Sequence, residues 1–207
     1  MYISLRYALI FIIILHSISH RGPSYVLLDD ISSLQLWGNH AHVQIEEGRG
    51  RMEIESSVGV SFLFVSPSGT CLSFCIGECT IRMYVPSKNR VAVWLDEATL
   101  AATGIETLQA ELTRGTVHIK DVERGDISLY RGSIDASVPP KGTLNLRGEE
   151  LHGQIYSYGD GWKHEVLHKG ALFKDEQSGE EQSRIHVQFF RGRLELLGDS
   201  LVLNIPE

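Results

Sequence analysis

From Gly115 to Ser137 the chain reads GTVHIKDVERGDISLYRGSIDAS, and each glycine is followed by inward-type residues two and four positions on, with a polar residue between them. The unit occurs at Gly115 (Val117, Ile119), Gly125 (Ile127, Leu129), Gly132 (Ile134, Ala136), Gly142 (Leu144, Leu146) and Gly153 (Ile155, Ser157). Looser copies stand at Gly50 (Met52, Ile54) and Gly192 (Leu194, Leu196). A repeat of two is the period of a strand with one buried face, so His118, Ser128, Asp135, Asn145 and Tyr156 are predicted to point outward. Strands this short cannot each bury a face alone, but stacked as successive coils they share one narrow core, with glycine at the corners. Successive glycines of the main series lie 10, 7, 10 and 11 residues apart. Two strands with two corners then take about 17 to 21 residues, a plausible coil length. The pattern predicts an all-β, single-domain β-solenoid; an antiparallel sandwich with glycine turns is the competing architecture.

Helical signals are few. The Ala- and Leu-rich stretch LDEATLAATGIETLQAEL, Leu95 to Leu112, could form a short helix by itself, but Thr99, Thr103, Gly104, Ile105 and Thr107 weaken it. It is read as strand and turn. Elsewhere Leu34 and Leu36, Val43 and Ile45, Met52 and Ile54, and Val91 and Val93 keep the strand period.

The N-terminus breaks the pattern. Arg6 precedes the apolar run YALIFIIIL, Tyr7 to Leu15, and HSISHRGPS then turns polar. This run is shorter than the roughly 20 residues that cross a hydrocarbon core. With Ser17 and Ser19 at the small-residue positions of a cleavage site, residues 1–19 are expected to be a secretory signal peptide, or else a retained membrane anchor; a buried strand or helix is the third reading. Residues 20–30 then make a linker and 31–207 the solenoid domain. Either of the first two readings puts the domain outside the cytoplasm, exported or anchored, facing the periplasm or the cell exterior.

Two segments carry a family resemblance. YVPSKNRVAVWLDEATLAATGIETLQAELTRGTVHIKDVERGDISLYRGSIDAS, Tyr84 to Ser137, resembles the "putative adhesin" domain of bacterial envelope proteins, in which a Val-Pro step leads into glycine-led strands. SRIHVQFFRGRLELLG, Ser183 to Gly198, is similar to that family's closing coils. The resemblance spans most of residues 31–207 and implies a β-solenoid and an exported or membrane-anchored location. It brings no catalytic residues, since the family has no established active-site motif. Bactofilin-like, polymer-forming solenoids are the nearest competing resemblance, with more regular coils.

Charge and composition narrow the function further. The chain has 207 residues and a net charge of −7, and its Lys and Arg are scattered, with no basic stripe of the kind that tracks phosphates. Nucleic acid is therefore not an expected partner. Two motifs suggest chemistry. HEVLH, His164 to His168, matches the zinc-protease pattern of two ligating histidines one helical turn apart with a glutamate that activates water. The segment is confined between Gly161 and Gly170, too short for a stable helix. Read as a strand, it puts Trp162, His164, Val166 and His168 on one face and Glu165 on the other, so a zinc hydrolase using His164 and His168 ranks low. CLSFCIGEC places Cys71, Cys75 and Cys79 on one strand face, neighbouring cysteines about 13 Å apart at roughly 3.3 Å per residue, too far to bridge along a straight strand. Three cysteines in an exported chain suggest one bridge and a further free or intermolecular thiol; a metal held by the trio is the lesser alternative. His40 and His42 on one strand read as surface histidines. Glu111, Asp121, Asp126 and Asp135 are outward carboxylates of the sort glycan-cleaving solenoids use, or plain solvated acids.

The sequence thus points to a non-enzymatic binding or scaffold protein with no cofactor. Its outward set mixes Tyr130, Tyr156, Tyr158 and Trp162 with Arg131, Asn145, Arg147 and His152, a composition closer to a contact surface than to a uniformly solvated face. The expected partner is an envelope polysaccharide or protein, or a second copy joined at an uncapped terminal coil.

Overall fold

The computed structural model describes residues 24–27, 32–56, 60–65, 70–158, 160–197 and 202–204; the N-terminal segment expected to be a signal or anchor lies outside them. Every regular element among the described residues is a strand, and none is a helix able to cross a membrane. In chain order the strands are β1 (Ser24–Leu27), β2 (Ser33–Glu47), β3 (Arg51–Ser56), β4 (Val60–Val65), β5 (Thr70–Val85), β6 (Arg90–Thr103), β7 (Thr107–Lys120), β8 (Arg124–Val138), β9 (Thr143–Arg147), β10 (Glu150–Ser157), β11 (Trp162–His168), β12 (Ala171–Gln177), β13 (Ser183–Phe189), β14 (Arg191–Leu197) and β15 (Val202–Asn204). The segment read as linker thus contains β1, which pairs antiparallel with β3.

The middle of the molecule is a parallel stack. Residues Arg90, Thr107, Arg124 and Thr143 pair in succession, as do Glu97, Arg114, Arg131 and Glu150. A coil of 17 residues separates partners such as Ser133 and Thr116, whose hydroxyls are 3.1 Å apart. Each of β6, β7 and β8 bends once in its middle, so that its first half belongs to one face of the solenoid and its second half to the other. In β7 the burial alternates from Leu108 to Leu112, is interrupted at Thr113 and Arg114, and resumes at Val117 and Ile119. That interruption is the corner. Both faces contribute to one core, in which Leu108, Ile127, Leu146 and Val187 from the first face meet Leu100, Val117, Ile134 and Leu194 from the second.

The glycine-led pattern accounts for this core. Val117, Ile119, Ile127, Leu129, Ile134, Ala136, Leu144, Leu146, Ile155, Ser157, Met52, Leu194 and Leu196 are all buried, while His118 and Asp135 are exposed and Ser128, Asn145 and Tyr156 half-buried. The Ile54 side chain lies outside the described residues. Gly132 has φ of 151°, and a Cβ there would stand 1.9 Å from the Gly115 carbonyl oxygen, so the backbones of adjacent coils meet where only glycine fits. Gly125 has a different task. It sits in mid-strand facing the core, and a Cβ there would meet Leu144 Cδ1 at 2.9 Å.

The ends depart from chain order. At one end β2 is wedged between β5 and β6, parallel to both, and β3 and β4 then pair antiparallel with β5. This brings Trp37 onto Trp94, stacked at 4.7 Å and 10°. At the other end β13 enters between β9 and β11, β12 closes the first face antiparallel to β11, and β15 closes the second antiparallel to β14. The strand spacing expected for the cysteines needs correction at Cys79, which is buried and disulfide-bonded. β5 is not straight: it turns at Gly77, with φ of 93°, where its register with β2 shifts, so a straight-strand spacing does not run through from Cys75 to Cys79.

Candidate functional site: a corner groove

The corner joining the two faces runs straight along the stack, and at its C-terminal half it carries aromatic side chains. In β8 the corner residue is Tyr130, and between β13 and β14 it is Phe190; they are 51% and 56% exposed, the latter despite its size and full hydrophobicity. Between them the β9–β10 connection supplies Gly148 and Glu149. A Cβ on Gly148 would collide with the Leu129 carbonyl oxygen at 2.2 Å, so this coil has no side chain at Gly148 and leaves a notch between the two rings. Backbone hydrogen bonds fix the notch. Glu149 N–H donates to the Tyr130 carbonyl at 3.0 Å, and the Glu149 carbonyl accepts from Phe190 N–H at 3.2 Å and Arg191 N–H at 2.7 Å. Two concavities adjoin at Tyr130 and Gly148 and together make the corner groove, one reaching Arg147 and Ser128 and the other Lys169, Phe190 and Arg191.

Electrostatics distinguish this corner from the rest of an acidic chain. Arg131 lies 5.3 Å from the Tyr130 ring centroid and 4.0 Å from both Glu149 and Glu150. Arg147, Lys169 and Arg191 have no ion-pair partner among the described residues. The Glu149 carboxylate, first by hydrogen bonding and then by its charge, raises the Tyr130 hydroxyl above the usual tyrosine range. Its Oε2, by contrast, is shielded from solvent with no hydrogen-bond partner.

The sequence-predicted residues separate into three groups. Tyr130 and Arg147 line the groove, and Arg131 stands beside the Tyr130 ring. Asn145 lies on the first face in a second, polar concavity with Lys163, Glu165, Arg184 and His186, while His152 and Tyr156 lie on the second face along β10. Tyr158 is 50% exposed just beyond β10. Trp162 corrects the outward reading. It is 4% exposed, faces the core from β11, and its indole N–H donates to Asp175 Oδ2 at 2.9 Å. Sequence reasoning missed Phe190 and Lys169. A signal for Phe190 existed: Tyr130 and Phe190 each stand two residues before a corner glycine, Gly132 and Gly192.

HEVLH is strand β11, with His164 and His168 buried toward the core and Glu165 on the opposite side. Glu165 there meets Lys174 at 3.2 Å, Lys163 at 3.6 Å and His186 at 3.6 Å, and the lysines, Lys174 first, hold its pKa below the usual range. The helical presentation that the zinc motif needs does not occur. Among the described residues no three His, Cys, Asp or Glu side chains are placed to hold a metal ion. A different trio forms instead: Ser157 Oγ is 3.1 Å from His164 Nε2, and His164 Nδ1 is 3.9 Å from Asp175 Oδ2. At 3.9 Å Asp175 is outside hydrogen-bond reach and His164 Nδ1 is buried with no hydrogen-bond partner, so the bond that holds the ring is the one between Nε2 and the Ser157 hydroxyl. The order is that of an activated nucleophile, but Ser157 and His164 are both buried and line neither part of the groove, so the trio joins the β11–β12 hairpin to β10 as a polar clasp. Burial lowers the His164 pKa, against an opposing pull from Asp175. The acids weighed as a glycan-cleaving row are dispersed: Glu111 and Asp126 on the first face, Asp135 on the second, Asp121 in a turn with φ of 54°.

No protein-family model and no curated protein matches the chain. Among solved structures it is similar to a "putative cell adhesion protein" from Clostridium sporogenes, at 11% identity and a TM-score of 0.46, over 86% of this chain and 99% of that one.

Proposed function

We propose that the protein is a non-enzymatic binding scaffold of the cell envelope or surface, exported through its N-terminal segment, and that the corner groove is its contact surface. The observation that carries this reading is the pair Tyr130 and Phe190. Two large, exposed rings stand on a backbone fixed by hydrogen bonds, beside Arg147, Lys169 and Arg191, which no described carboxylate pairs. Rigid aromatics bordered by charge are what contact surfaces enrich, because such rings bury much area at little conformational cost. A stacked β-core suits the role, since it holds outward residues in straight columns about 4.8 Å apart, matched to an extended partner.

The test is retention on isolated, insoluble envelope material. The wild-type chain should sediment with it, and the double variant Tyr130→Ala, Phe190→Ala should lose roughly tenfold or more in retention while keeping its β-type circular dichroism. Equal retention of both proteins would remove the groove from consideration. Cell fractionation of the intact chain addresses location: export predicts the envelope or exterior fraction, and a wholly cytosolic chain would contradict it.

A further inference from the structure

We infer that the groove takes an acidic glycan chain, one whose sugar units carry carboxylate or phosphate groups; this deepens the reading above and rests on it. Three independent features of the corner point to that ligand.

The first is spacing. Tyr130 and Phe190 belong to coils two steps apart, with the Gly148–Glu149 coil between them. Strand spacing puts their backbones about 9 to 10 Å apart, roughly the length of two sugar units, and the notch at Gly148 lets a chain lie flush between the rings. The second is charge. The chain as a whole has 26 acidic against 19 basic residues, yet Arg131, Arg147, Lys169 and Arg191 converge here on fewer carboxylates, Glu149 and Glu111 in the groove with Glu150 at its rim. Three of those cations, Arg147, Lys169 and Arg191, are available for a ligand's anions. Arginine in particular matches carboxylate and phosphate in a two-pronged way. The third is Glu149 Oε2, an acceptor shielded from solvent that has the Arg131 guanidinium 4.0 Å away but no hydrogen-bond donor within reach. A buried acceptor is satisfied by a donor, and a sugar hydroxyl supplies one between flanking anions. A DNA strand also offers rings and anions, but its phosphates would run past this carboxylate with no hydroxyl on every unit to donate, and the net charge of −7 opposes any nucleic acid at longer range.

The experiment uses the purified chain and calorimetric titration with polygalacturonate, with dextran as the neutral glycan and a single-stranded oligothymidylate as the nucleic acid. Polygalacturonate is expected to bind, and to bind more weakly as ionic strength rises from about 0.05 to about 0.5 M, where screening shortens to a few ångströms. Tyr130→Ala and Phe190→Ala should each weaken it about tenfold. Arg147→Ala with Lys169→Ala should weaken it by a similar factor and flatten the salt dependence. Glu149→Gln, which turns one acceptor oxygen into a donor, should weaken binding although it removes a negative charge; strengthening would overturn the hydroxyl assignment. Dextran binding as tightly as polygalacturonate, with loss in the aromatic variants only, would overturn the acidic-glycan inference and leave the groove reading standing. Preference for the oligothymidylate would overturn it in favour of nucleic acid. Binding of none of the three, together with unchanged envelope retention in Tyr130→Ala, Phe190→Ala, would overturn both readings.

Discussion

A single Cβ decides whether two coils can touch at the corner. Gly132 lies against the Gly115 carbonyl, and Gly115 against that of Ala98, where an added Cβ would stand 1.8 Å away. Contacts that short cannot relax without separating backbones that the whole stack holds in register. Gly132→Ala is therefore expected to destabilise the domain by about 3 kcal/mol, through the clash and the unfavourable φ together, as read from the midpoint of denaturant unfolding. Gly170 supplies the comparison: its φ of 80° strains a side chain, but nothing lies within 4 Å of a Cβ. Gly170→Ala should cost only about 1 kcal/mol. Equal losses at the two sites would mean that conformation alone, and not close approach, requires glycine at the corner. The glycine-led repeat made these positions legible, but not their differing tasks. Gly125 and Gly132 look alike in sequence, and only the register shows one beneath Leu144 and the other beneath a carbonyl. Phe190 was hidden for a related reason. Phe189 beside it is 1% exposed, and a Phe-Phe pair in an alternating strand reads as core until the corner is known to fall between them.

Among the elements, the β11–β12 hairpin is joined to the core by polar chemistry at its base. His164 of β11 and Asp175 of β12 already face each other across their ladder, so the added tie is the contact of His164 with Ser157 of β10, a strand that no described backbone ladder joins to the hairpin. The histidine is 2% exposed, and burial lowers its pKa in the folded protein. The unfolded chain then binds a proton more readily, at a pKa near 6.5. Stability from this group is complete above that value and falls as the pH drops from about 6.5 toward the folded pKa, because unfolding takes up the proton. His164→Gln should flatten this part of the pH profile, measured as chemical stability at a series of pH values, whereas an unchanged acid-side slope would show that other groups carry it. The strand character of this segment was legible from its glycine limits and its alternation; the clasp was not. Ser157 and Asp175 lie 7 and 11 positions from His164, and nothing in their local pattern shows that a hairpin folds one onto the histidine while the core presents the other.

At the scale of the molecule, the coil itself was legible because its period is local, while the stacking order at the ends was not, because β2 and β13 take places that chain order would give to others. Alternation assigns each strand an inner face; it says nothing about which neighbour arrives first. The inversion at the β13 end has a consequence for how the chain assembles during synthesis. β11 and β12 are made before β13, yet among the described residues the backbone ladder from β11 to the stack runs through β13, whose partner on the other side is β9, from 41 residues earlier for pairs such as Thr143 and Arg184. The hairpin must therefore wait, formed but unseated, until the next strand has passed beneath it. A chain stopped after Gln182 would stay in that waiting state. Limited proteolysis of such a truncation should cut first between residues 160 and 182 and leave the coils of β6 to β8 protected, while equal protection of the hairpin would show that it seats without β13. A strand made later is thus the one that lets its predecessors dock, so closure of this end is timed by the synthesis of β13.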